Sequence, residues 1–264
     1  MDSSKLNLSA DGKTLYEVYD VDNLIIPEGV TKIDKCAASQ RSIVTVEIPD
    51  SVEEIGKEAF RICKSLQTVI IGAGIKKMGA EAFAGCDCLN SVTIKEGAKV
   101  IGESAFYKDV ALEKITLPES LTKIGKAAFQ STSLAEVRIP ANVKTIGADA
   151  FNVRKIEGKT GPSVLKIIEF AHGSKLTIIE ENAFKDASIE TLVLPDKLQT
   201  IGDFAFAGCK NLKSIHIPAS LIDMGIKPFD GCTALTEITI DPANPAFVLQ
   251  DGKLFTKDMK KQKI

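Results

Sequence analysis

The sequence predicts a solenoid: about nine stacked units of 22–23 residues, each a short strand lying beside the equivalent strand of the next. Three observations predict it. Phe60, Phe83, Phe106, Phe129, Phe151, Phe184, Phe206 and Phe229 recur at steps of 23, 23, 23, 22, 33, 22 and 23 residues, and Ala38 holds the same place one unit earlier. Gly56, Gly79, Gly102, Gly125, Gly147, Gly202 and Gly225 form a second column, and Pro27, Pro49, Pro118, Pro140, Pro195 and Pro218 a third. No Ser/Gly-rich linker, Pro-rich linker or charge block divides the chain, so the columns belong to one continuous array.

Within a unit the pattern is LxxVxIPxxVxxIGxxAFxxCxx, set out by Leu112, Ile115, Leu117, Pro118, Leu121, Ile124, Gly125, Ala128 and Phe129. The last apolar pair of LxxVxI, as in Val69 and Ile71 or Ile215 and Ile217, is spaced by two, the period of a strand with one face inward. The proline that follows lacks an amide hydrogen and fixes its own φ, so it ends the ladder and starts a turn. In VxxIG the chain turns inward again, with glycine where the backbone needs positive φ or a close approach. The stretch xxAF is too short for a long helix and reads as one helical or 3₁₀ turn that plugs Phe into the interior. At strand spacing, nine such units give a body about 45 Å long.

Composition narrows the function. At 44% hydrophobic and 26% charged, the 264 residues match a soluble globular chain that buries a core. A net charge of -2 supplies no field for nucleic acid or anionic lipid, and no apolar run reaches the roughly 18 residues of a membrane helix. No nucleic-acid partner and no membrane span are expected.

The run from Val52 to Ile71, Val-xx-Ile-Gly-xx-Ala-Phe-xx-Cys-xx-Leu-xx-Val-x-Ile, resembles the BspA-type leucine-rich repeats, and the resemblance covers roughly residues 21–240. It implies an α/β solenoid, a right-handed leucine-rich-repeat array of short parallel strands and one-turn helical segments. Residues 1–20, with Asp11 to Tyr16, read as a hairpin-like cap. Residues 241–264 read as a flank in which Asp251-Gly-Lys-Leu-Phe255 resembles an element that follows such arrays. That element usually runs on into another strand, so the stop at Ile264 reads as a truncation. The family implies a cell-surface or secreted, adhesion-like protein. Its partner would be a protein ligand, either a host extracellular-matrix component or another cell-surface protein. A spacer segment of a larger surface protein is the alternative.

Nothing announces catalysis, and neither an enzyme, a cofactor nor a metal is expected. Cys63, Cys86, Cys209 and Cys232 each follow the column Phe by three residues, where a small apolar group packs. The sharper alternative bridges Cys63 to Cys86 and Cys209 to Cys232 across adjacent units. Cys86-Asp-Cys88 lacks the further ligands that zinc requires, and His172 and His216 are not placed to activate a thiol. The outward positions of the strands are the candidate protein-binding face: Ile70, Lys114, Glu136, Arg138, Ile167, Glu169, Val193 and His216. A second candidate is the insertion near 152–175, which carries Arg154, Lys155 and Lys159.

Overall fold

The structure, a computed structural model, describes residues 5–19, 21–153 and 165–257. Its chain divides into two units, residues 1–134 and 135–264, each built from stacked turns. In the first, the parallel strands Asn23–Ile25, Thr45–Ile48, Thr68–Ile71, Ser91–Ile94 and Lys114–Thr116 make one five-stranded face. Two-residue strands such as Lys32–Ile33, Glu54–Ile55 and Lys77–Met78 make a second ladder, which Thr14–Val18 joins at one edge. Leu6–Leu8 pairs antiparallel with Thr14–Val18.

The second unit repeats this design. Glu136–Ile139 pairs with Ile167–Phe170, and Thr191–Leu192, Ser214–Ile217 and Glu237–Ile240 form a separate parallel group. The two-residue strands Thr145–Ile146, Ile178–Ile179, Thr200–Ile201 and Asp223–Met224 pair in sequence. An antiparallel hairpin, Phe247–Gln250 with Lys253–Thr256, follows.

Phenylalanine fills the interior as the period requires. In the first unit the rings of Phe60, Phe83, Phe106 and Phe129 stack nearly parallel with centroids 5.0–5.4 Å apart, and in the second Phe151, Phe184, Phe206 and Phe229 do so at 5.3–5.4 Å. Of the pattern example, Leu112, Leu121, Ile124 and Ala128 are fully buried.

The expected helical segment at xxAF is corrected: no α-helix is present among the described residues. Where the amides go explains why. Ser104, Phe106 and Lys108 donate to the carbonyls of Lys126, Ala128 and Gln130 in the next turn, at 2.8–2.9 Å. Glu58, Phe60 and Ile62 do the same toward Ala80, Ala82 and Ala84. Every second amide is therefore committed to a neighbouring turn, which leaves no local ladder to propagate a helix. Residues two before and two after the column Phe adopt left-handed φ to make this possible, as at Glu58 (58°) and Ile62 (60°) or Ser104 (53°) and Lys108 (63°). Glycine takes the later position at Gly85, Gly208 and Gly231. Left-handed backbone costs an L-residue about 1–2 kcal/mol, offset in part by the entropy glycine carries into the unfolded chain. Lys108→Gly is therefore expected to raise stability by about 0.5 kcal/mol, readable in urea unfolding.

The six cysteines are free thiols. Cys63, Cys86, Cys209 and Cys232 each donate from Sγ to a carbonyl one turn back, Ala38, Phe60, Phe184 and Phe206 respectively, at 3.0–3.4 Å. The neighbouring Cys63 thiol, together with burial, raises the Cys86 thiol above its ordinary range, and the same contact lowers Cys63.

Candidate protein-binding face

All eight residues proposed from alternation lie exposed on strands, or next to one in the case of Val193. Ile70 and Lys114 belong to the first unit, and the other six to the second. Lys114 borders a shallow polar hollow of about 670 Å³ with Asp87, Cys88 and Glu113. Ile70, 40% exposed, stands on the Thr68–Ile71 strand between Glu47 and Thr93 of its neighbours.

In the second unit, parallel pairing sets Glu136 opposite Ile167 and Arg138 opposite Glu169. The Arg138 Nε–Glu169 Oε1 distance is 3.7 Å, a solvated ion pair worth less than about 1 kcal/mol. His216 contacts Thr239 through Nδ1 and Oγ1 at 2.9 Å on the Ser214–Ile217 strand. Beneath these residues Val137, Ile168, Leu192 and Ile215 are buried, as a period of two requires. Ile167 is 55% and Val193 80% exposed, too open for either to belong to the core.

A feature that alternation alone does not reveal lies between these two residues. The strands Ile167–Phe170 and Thr191–Leu192 are not hydrogen-bonded to each other, and a cleft of about 490 Å³ opens there. Its lining combines Ile167, Glu169 and His172 from one side with Val193, Asp196 and Lys197 from the other. The turns are nevertheless held together elsewhere. Ser188 N donates to Leu165 O at 2.8 Å, the rings of Phe184 and Phe206 stack, and Ile178–Ile179 pairs with Thr200–Ile201. The separation is thus confined to the strand face.

The local sequence departs from the repeat here: Phe170 occupies the register of Ile139, Ala171 stands where Pro140 ends the preceding strand, and the Phe170-to-Ile179 segment is two residues longer than its counterparts. The basic part of the insertion, Arg154, Lys155 and Lys159, lies outside the described residues.

The family described as BspA type leucine rich repeat region matches residues 9–132 and 177–247 in six copies. Its matches leave out residues 133–176, where the period breaks. No curated protein matches the chain. Among solved structures, a leucine rich cell surface protein from Faecalibacterium prausnitzii A2-165 is 24% identical, with 89% of this chain and 92% of that chain covered and a TM-score of 0.41. The T. pallidum leucine rich repeat protein is 21% identical, with 89% and 90% covered and a TM-score of 0.47. The pneumococcal vaccine antigen PcpA is 19% identical, with 89% and 79% covered and a TM-score of 0.49.

Proposed function

The chain belongs to the BspA-type leucine-rich-repeat family, and from that premise we propose that it is a nonenzymatic, adhesion-like binding module of the cell surface or the extracellular space whose strand face docks a protein ligand. The observation that carries this reading is the pair of open apolar side chains, Ile167 and Val193, set among the charged groups Glu136, Arg138 and Glu169 on one strand surface. Strand backbone is already ordered, so docking on it loses little conformational freedom, and apolar anchors ringed by charges give both affinity and orientation. The partner class is a host extracellular-matrix component or another cell-surface protein.

The test uses the full chain against immobilised fibronectin, laminin and collagen and against intact epithelial cells. Retention by at least one surface is expected, with the double variant Arg138→Ala, Ile167→Ala binding about tenfold more weakly at an unchanged melting temperature. Equal binding by the double variant rejects this face as the site. Absence of retention on every surface supports the alternative of a spacer segment.

A further inference from the structure

We propose that Cys209 and Cys232 are a redox-active pair, which a hydroperoxide converts into a disulfide that ties the last turn of the phenylalanine column to the turn before it. This inference stands apart from the reading of the strand face.

Geometry brings the two residues together. Each follows its column phenylalanine by three residues, so they hold the same place on successive turns. Gly208 N donates to Asp230 O at 2.7 Å, and a Cβ on Gly231 would lie 3.7 Å from Gly208 Cα, so the two turns stand one ladder spacing apart beside the thiols. That spacing, about 4.8 Å, falls within the range of about 4.4–6.8 Å that a disulfide spans between Cα atoms. Cys232 Sγ donates to Phe206 O at 3.3 Å, and the same carbonyl accepts from Cys209 N at 3.2 Å. The Cys232 sulfur is thus held against the turn that carries Cys209. Closing the bond gives up this thiol hydrogen bond and the one from Cys209 Sγ to Phe184 O.

Access decides which pair reacts. Cys63 and Cys86 repeat the arrangement, with Cys86 Sγ on Phe60 O at 3.2 Å, but both are fully buried. Cys232, on the last turn of the column, is partly open, while Cys209 behind it is buried. The neighbouring Cys209 thiol lowers the Cys232 thiol, with burial opposing, and the same contact together with burial raises Cys209. Cys232 is therefore the attacking thiol and Cys209 the resolving one. Cys232 Sγ attacks one oxygen of hydrogen peroxide: an S–O bond forms, the O–O bond breaks, and the departing hydroxide leaves as water with the Cys232 proton. Cys209 Sγ then attacks Cys232 Sγ: the S–S bond forms, the S–O bond breaks, and a second water leaves with the Cys209 proton. Two thiols are oxidised and one peroxide is reduced.

The test uses the full-length chain with the exposed Cys36 and Cys88 replaced, Cys36→Ser and Cys88→Ser, so that only the two pairs report. Hydrogen peroxide is added, unchanged circular dichroism verifies that the chain stays folded, and nonreducing peptide mapping by mass spectrometry follows the products. The Cys209–Cys232 linked peptide is expected to accumulate roughly tenfold faster than a Cys63–Cys86 one. Cys209→Ala introduces the residue that Ala187 already places in this column. In that variant Cys232 is expected to stop at the sulfenic acid and take up dimedone, whereas the intact pair closes before dimedone reacts. A Cys63–Cys86 link formed as fast, both thiols of Cys209 and Cys232 recovered unmodified, or equal dimedone uptake with and without Cys209 overturns the proposal. The linkage measurement decides the case by itself if the variant does not fold.

Discussion

Gly79→Val is expected to lower the unfolding free energy by about 4 kcal/mol, among the largest effects a single substitution produces. A Cβ built on Gly79 would lie 2.5 Å from Lys57 N and 2.6 Å from Gly56 C, both backbone atoms of the preceding turn. No rotamer relieves such a clash, because the obstacle is the main chain of that turn. Gly79 N meanwhile donates to Ile55 O at 2.8 Å, so moving the turn aside breaks the ladder that positions it. Gly56, Gly102, Gly125, Gly202 and Gly225 meet equally close backbone, which assigns this column to close approach and leaves positive φ to other positions. Urea unfolding followed by circular dichroism reads the loss; Gly79→Ala is expected to produce a smaller one in the same direction, and an unchanged midpoint for both would show that the stacked turns yield more readily than described.

The second large effect concerns Asp109. This carboxyl sits in the thiol column, three residues after Phe106, and is fully buried. Its Oδ1 accepts from Cys86 N at 2.8 Å, while Oδ2 has no partner. Burial pushes its pKa well above the usual carboxylate range, and Asp87 adds to the shift while the Cys86 amide and the more distant Lys64 charge oppose it. A carboxyl that holds its proton more tightly in the native chain than in the unfolded one stabilises the fold while protonated. The contribution of Asp109 to stability is therefore fully present below the ordinary aspartate range near pH 4 and is lost as pH rises from there through the native pKa. Asp109→Asn keeps an acceptor for Cys86 N and removes the charge. It is expected to raise the unfolding free energy by about 2 kcal/mol at pH 8 and to leave it nearly unchanged at pH 4. A pH-independent difference between wild type and variant would contradict burial as the cause.

Much of this fold was legible in the sequence because stacking repeats the same contacts. The Phe column predicted the ring stacks, and the spacing of Val69 and Ile71 predicted which side chains turn inward. The brevity of the xxAF segment suggests a helical turn, whereas its amides at Ser104, Phe106 and Lys108 bond to a turn some 22 residues away. That preference has only a scattered local signature: Gly85, Gly208, Gly231, Asp149, Asn182 and Asp186 favour left-handed backbone, whereas Glu58, Ile62 and Lys108 at the same positions do not. Outward positions such as Ile167 and Val193 followed from alternation, but their cleft did not. The pattern does break there, with Phe170 in an isoleucine column and two extra residues before Ile179. How far two strands then separate depends on packing that the pattern does not encode.

The similarity of the stacked turns raises a question of registration during folding. Where every turn offers the same phenylalanine, the same glycine and the same ladder, two segments displaced by one whole period can associate almost as well as the correct pair, and such slips are the characteristic trap of repeated sequences. Aperiodic residues remove that degeneracy. Asp109 satisfies Cys86 N only when its own turn follows that of Cys86, and Phe170 fits beside Ile139 only with its lengthened turn behind it. The departures from the repeat thus serve as index marks along an otherwise uniform scale, and erasing them toward consensus should yield a chain that is more stable at equilibrium yet slower to find a single alignment.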